Sequence, residues 1–176
     1  VLAVELGRLE AMVGVARQAI DGCPDLVGVP RHTLLAEQTI AWQEGEGAAC
    51  RCRPDWITPD RAVVLSYKTT PNAEPEAFAR VLLGYGYDVQ AAFECAAVTS
   101  LTGTAPRYVW IAQEIAPPYA CSLLGLSPML ADLAARKFRV AVERWAACLA
   151  SGVWPAYPDR ICYVDPPEWS VGQWME

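Results

Sequence analysis

Residues 50–70 read Cys50-Arg51-Cys52-Arg53-Pro54-Asp55-Trp56-Ile57-Thr58-Pro59-Asp60-Arg61-Ala62-Val63-Val64-Leu65-Ser66-Tyr67-Lys68-Thr69-Thr70. The stretch predicts two strands joined by a turn at Thr58-Pro59-Asp60. Residues 62–67 begin as an unbroken apolar run, as expected of a central strand covered on both faces. Asp55 ends the first strand and Lys68 ends the second. A carboxylate and a lysine that converge at one sheet edge suit metal-assisted phosphodiester hydrolysis. The acid holds a divalent cation, and the ammonium orients or activates a water. Ser66 stands two residues before Lys68, where a second metal-binding acid would be wanted.

Outward from this stretch, residues 2–20 carry apolar side chains at the spacing of an amphipathic helix. Residues 34–43 predict a strand. Glu44-Gly45-Glu46-Gly47 turns it into a second strand over 48–57, making a hairpin. Residues 75–98 predict a helix with Asn72 as N-cap, open to a break at Gly84 and Gly86. A strand follows over 108–115. Pro117-Pro118 ends it, and 120–124 continues the sheet edge. Ser127 as N-cap and Pro128 at the first helical position open a last helix. That helix stops at Ser151-Gly152. Residues 153–176, rich in Pro, Trp and Tyr, predict an irregular surface segment. The order implies an α/β protein, a mixed central sheet flanked by helices.

The chain has 176 residues, enough for one packed domain over 1–176. Its 53% hydrophobic and 19% charged content excludes a disordered chain. A net charge of −6 excludes a protein coated in positive charge for nonspecific DNA binding, though not a local basic groove. No apolar run is long enough to span a bilayer, and no signal peptide is visible, so a cytoplasmic location with no membrane partner is expected. The chain begins at Val1, which reads as a fragment or processed form lacking upstream residues. The seven cysteines are odd in number and include no CxxC pair. They read as reduced, buried thiols. The alternative is a metal pair at Cys50 and Cys52, which share one strand face. His32, the single histidine, reads as a loop residue.

Arg53-Pro54-Asp55, then ten residues, then Ser66-Tyr67-Lys68-Thr69-Thr70 resembles the PD-(D/E)xK nuclease superfamily, with its restriction-endonuclease-like core. More closely it resembles the RecE (exonuclease VIII)-type nuclease domains of phages and prophages. Those carry a Cys-x-Cys/Ala-Arg-Pro-Asp strand, a strand ending Asp-x-Lys-Thr-Thr, and a helix with Tyr-x-x-Gln-x-x-x-Tyr. Here that helix places Tyr87, Gln90 and Glu94 at the three signature positions. The resemblance extends from about residue 35 through Gly152-Val153-Trp154-Pro155.

The resemblance implies that Mg²⁺ or Mn²⁺ is held at Asp55, Ser66 and the backbone carbonyl of Tyr67. It implies that Lys68 positions the attacking water and stabilises developing negative charge. It implies that Gln90 projects toward the scissile phosphate or the lysine. Three departures stand out. Ser66 is neutral where the family has an acid, Glu94 replaces a Tyr, and the family's upstream histidine has no counterpart. Glu37 and Glu94 are the candidates to supply the missing carboxylate from another element. The implied function is a metal-dependent exodeoxyribonuclease acting on ends of linear double-stranded DNA for recombination. It would work with a single-strand annealing recombinase and as a homo-oligomer. The alternative is a catalytically dead nuclease fold serving as a DNA-binding or protein-interaction module. Arg51, Arg53 and Arg61 flank the site and are candidates for DNA backbone contacts. Arg136 and Arg139 share a helix face, either against phosphate or as a solvated face balanced by Asp132 and Glu143.

Overall fold

A computed structural model describes residues 2–26, 31–45, 48–167 and 170–171. Its strands are β1 (Leu35–Ala36), β2 (Ile40–Glu44), β3 (Ala48–Cys52), β4 (Trp56–Ile57), β5 (Val63–Thr70), β6 (Arg107–Glu114) and β7 (Cys121–Gly125). Its helices are α1 (Leu2–Asp21), α2 (Pro75–Gly84), α3 (Tyr87–Thr102) and α4 (Pro128–Ser151). The main sheet is five-stranded in the order β1-β4-β5-β6-β7, and β2 and β3 form a separate two-stranded hairpin. Among the described strands only β5 and β6 run parallel; the other pairs are antiparallel. A parallel neighbour needs a crossover, which α2 and α3 provide. This is the mixed central sheet flanked by helices that the sequence implied.

The parallel register pairs Val64 with Tyr108, Ser66 with Trp110 and Lys68 with Ala112. Side chains alternate along a strand, so Val64, Ser66 and Lys68 share one face with Tyr108 and Trp110. That face packs under α3 and α4 with the β2-β3 hairpin, in a core including Phe78, Ala91, Val98, Trp110 and Phe138. Phe93 joins the layers: its ring lies 4.8 Å from Trp42 of the hairpin and 5.4 Å from Phe138 of α4. The opposite sheet face presents Val63, Leu65, Val109 and Ile111, which pack with Leu26 and Ile20. α1 lies on that side against β6 and β7, with Met12 buried.

Two strand expectations and one helix cap need correction. The strand expected over 34–43 is two short strands in different sheets. Glu37, at φ +52°, turns the chain between them. The strand expected over 48–57 also splits. Its Arg53-Pro54-Asp55 bend moves the chain from the hairpin (β3) into the main sheet (β4), so Asp55 sits between strands. Proline lacks the N–H that a continuous ladder needs. The helix over 75–98 is broken where the glycines allowed. Gly86, at φ +70°, takes the left-handed conformation that starts α3. Its predecessor α2 is capped by Glu74, whose carboxylate accepts from the N–H groups of Glu76 and Ala77 at 3.1 and 2.7 Å. Asn72, the expected cap, instead accepts from the Glu74 N–H at 2.8 Å. Ser127 caps α4 as expected, accepting from the Leu130 N–H at 3.2 Å. Residues 152–167 form no helix or strand and are exposed; the rest of the segment expected over 153–176 lies outside the described residues apart from 170–171.

Candidate active site

β4 pairs with β5 only at Trp56-Leu65 and Ile57-Val64. Beyond that point no described strand lies beside the β5 edge, and the Asp55 side chain takes that place. Its Oδ2 accepts the Tyr67 N–H at 2.8 Å and the Ser66 hydroxyl at 3.0 Å. Oδ1 accepts no hydrogen bond from the described residues. The N–H and C=O of one strand residue point to the same side, so the Tyr67 carbonyl faces the Asp55 edge as well. Asp55 is held in turn through its own carbonyl, which accepts the Glu37 N–H at 3.0 Å.

Ser66 is fully buried and Lys68 half-buried on the α3 face of β5. The Lys68 ammonium lies 4.7 Å from the centre of the Tyr87 ring, at the first turn of α3. That cation–π contact steers the long side chain along the sheet toward α3. One turn further on, the Gln90 amide donates to Glu94 Oε1 at 2.8 Å. The Tyr108 hydroxyl donates to Glu94 Oε2 at 2.9 Å and also lies in hydrogen-bonding reach of Ser66. Asp55, Ser66, Tyr108, Glu94 and Gln90 thus form one polar network across β5, β6 and α3. Lys68 and Asp55 are both close enough to act electrostatically on Glu94.

Burial dominates the electrostatics. It pushes the Glu94 carboxyl above its ordinary range, while the bonds from Gln90 and Tyr108 pull it back. Burial, then the neighbouring Glu94 charge, pushes the Tyr108 phenol well up, so it remains a donor at any physiological pH. The Cys52 thiol, beneath the same network, is pushed up to about 12 by burial and Glu94. It is therefore a protonated packing group. Cys50 and Cys52 both pack against the core under α3. Among the described residues no three His, Cys, Asp or Glu side chains gather at metal-binding distance. The oxygen donors at the Asp55 edge, a carboxylate with one open oxygen and a backbone carbonyl, fit Mg²⁺ or Mn²⁺ and not a thiophilic metal.

The other expected residues scatter. Arg53 pairs with Glu37 at 2.8 Å, both exposed, so Glu37 is turned away from Ser66. Arg51 is exposed on β3, and Arg61 is exposed at the 58–62 turn with φ +60°. Arg136 and Arg139 are exposed on α4. Arg139 lines a groove with Glu44 and Ala48, at the turn end of the hairpin. Asp55 follows the other end of β3, about 13 Å along a five-residue strand. His32 lines a separate groove with α1, Leu34 and Trp56. Sequence reasoning missed Tyr108. No local signal marks it, because its place beside Ser66 exists only once β5 and β6 pair in register. It also missed Tyr87 as the rest for Lys68, although Tyr87 was visible in the helix signature.

The PDDEXK-like domain of unknown function DUF3799 matches residues 29–167. This chain belongs to that PDDEXK-like family. A solved structure from Eubacterium rectale, titled a "Putative exonuclease", shares the fold with a TM-score of 0.63 and 14% identity. The match covers 94% of this chain but 64% of that one, so the chain spans less than two thirds of that protein's length. A second structure, titled SSO0001, matches with a TM-score of 0.40 and 13% identity, over 88% of this chain and 70% of that one. No curated protein sequence matches this chain significantly. No described helix is long and apolar enough to cross a membrane.

Proposed function

We propose that this chain is a metal-dependent deoxyribonuclease of the RecE type, acting on ends of linear double-stranded DNA. The observation that carries the reading is the Asp55 carboxylate clamped at 2.8 Å to the Tyr67 N–H, with Lys68 one residue further along the same open strand edge. Asp55 and the Tyr67 carbonyl would hold the Mg²⁺ or Mn²⁺. A bound divalent ion would lower the pKa of a water and neutralise charge on the phosphate. The chain's own contribution is positional. The Asp55–Tyr67 bond fixes the acid against the strand, and the Tyr87 ring holds the Lys68 ammonium over the site face. From there Lys68 orients the attacking water and stabilises the growing negative charge. Ser66 bonds Asp55 Oδ2 and positions it, a role that a neutral hydroxyl suits better than that of an Mg²⁺ ligand. Arg51, Arg53 and Arg61 are the proposed backbone contacts. The same reading extends to one nuclease domain over 1–176, a homo-oligomer, a cytoplasmic location and a single-strand annealing recombinase as partner.

The test is digestion of end-labelled linear double-stranded DNA by this chain in Mg²⁺ or Mn²⁺, beside covalently closed circles. The expected result is nucleotide release from linear DNA alone, and at least about a hundredfold loss in Lys68→Ala. Undiminished cleavage by Asp55→Asn would place the chemistry elsewhere. DNA binding without cleavage in either metal would support the second reading, a non-catalytic DNA-binding module. The buried serine at the acid position is the observation that favours it.

A further inference from the structure

Glu94 is 5% exposed. No described lysine or arginine bonds to its carboxylate; its hydrogen-bond partners are the neutral Gln90 amide and Tyr108 hydroxyl. A carboxylate buried without a bonded cation opposes folding, and it is ordinarily neutralised or used. Its position is informative. Glu94 Oε2 takes the Tyr108 hydroxyl at 2.9 Å, Tyr108 adjoins Ser66, and Ser66 donates to Asp55 Oδ2 at 3.0 Å. Each carboxylate therefore takes the proton of one of two neighbouring hydroxyls, Ser66 for Asp55 and Tyr108 for Glu94. Each Glu94 oxygen accepts one hydrogen bond and keeps a second lone pair.

We propose that Glu94, carried on α3, supplies the second carboxylate of the Asp55 metal site, replacing the acid that Ser66 lacks. The inference rests on the metal-site reading above and deepens it. The sheet explains why the exchange works. Ser66 on the strand and Glu94 on the helix both adjoin the Tyr108 hydroxyl. A short hydroxyl on the strand leaves room for a longer acid descending from the helix. A carboxylate at both positions would crowd three acids around one site, where like charges raise one another's pKa values and oppose folding. Serine at 66 is thus the complement of glutamate at 94, and the Tyr108 hydroxyl holds the helix-borne acid toward the strand. Gln90, one turn earlier, becomes a positioning residue for Glu94.

The test is Mn²⁺ binding by isothermal titration calorimetry on this chain and on Asp55→Asn, Glu94→Gln and Ser66→Asp/Glu94→Gln. Thermal melts check each fold. Glu94→Leu, which removes the acid and fills the space, is the second deletion. The expected result is a single Mn²⁺ site, weakened about tenfold or more by Glu94→Gln, Glu94→Leu and Asp55→Asn. Adding Ser66→Asp to Glu94→Gln returns an acid to the strand and regains binding. Loss of Mn²⁺ binding in Asp55→Asn with unchanged affinity in both Glu94 variants would overturn this inference and leave the metal site standing. Absence of Mn²⁺ binding in the wild type would overturn both.

Discussion

At the residue scale the site is governed by what burial does to Glu94. Its carboxyl is pushed above the ordinary carboxylate range chiefly by desolvation, with the Asp55 charge adding to the shift. A carboxyl with a raised folded-state pKa favours folding while it is protonated. It opposes folding as pH climbs from about 4.5 through that raised value. Glu94→Gln keeps the shape, and both neighbours can reorient to bond an amide. In EDTA, the melting temperature of Glu94→Gln relative to wild type should therefore rise across that window and then level off. Paired melts from pH 4 to 8 check this, and a difference independent of pH would refute it. Substituting the acid that we propose binds the metal would thus stabilise the chain, since its burial opposes folding. Asp60 shows the opposite case. It is a turn residue whose carboxyl is lowered by the Thr58 hydroxyl and the Ala62 N–H, and it is fully exposed.

At the element scale the decisive piece is the start of α3. Gly86 reverses the chain so that Gln90 and Glu94, four apart on one helix face, look down on β5. The first turn also carries Asp88, which is fully buried. A helix N-terminus favours an anion there, and the Lys137 ammonium of α4 meets its Oδ2 at 2.7 Å. Asp88 Oδ1 has no hydrogen-bond partner. This bridge ties α4 to the first turn of α3, the helix that carries Glu94. Lys137→Met should cost about 2 kcal/mol in urea unfolding, because it strands a buried charge. Adding Asp88→Asn should recover part of that loss. Strict additivity of the two changes would show that the pair is not coupled.

At the scale of the whole molecule, one sheet separates two apolar layers, and the functional face belongs to the α3 side. The other layer supports the site from behind. The Tyr67 hydroxyl bonds Gln113, whose amide donates to the Met12 carbonyl of α1 at 2.9 Å and to that of Tyr119 at 3.1 Å. The side chain of Tyr67 is thereby tied to α1, while its backbone serves Asp55. On the near side Phe138 seats α4 against Phe93 and, through it, the hairpin. Phe138→Ala should lower stability by about 3–4 kcal/mol with a single cooperative transition. Separate transitions by tryptophan fluorescence and far-UV circular dichroism would instead mark the hairpin and α4 as an independent unit.

The local alphabet determined much. The apolar run of β5 announced a strand buried on both faces. Ser127-Pro128 and Gly152 bounded α4, and Asp55 and Lys68 pointed to the candidate site. These signals are short-range, arising from backbone sterics, capping and side-chain alternation within a few residues. What they could not decide was which partners distant segments would meet. The splitting of 34–43 and 48–57 between two sheets depends on where β5 leaves an edge open. The pairing of Glu37 with Arg53 follows from the same bend. The meeting of Asp55, Ser66, Tyr108 and Glu94 depends on the parallel register of β5 with β6 and on α3 crossing above both. That is a property of packing, in which residues up to 53 positions apart, as Asp55 and Tyr108 are, become neighbours. The motif was written in the chain, whereas the acid we assign to complete it could be recognised only once the helix lay on the sheet.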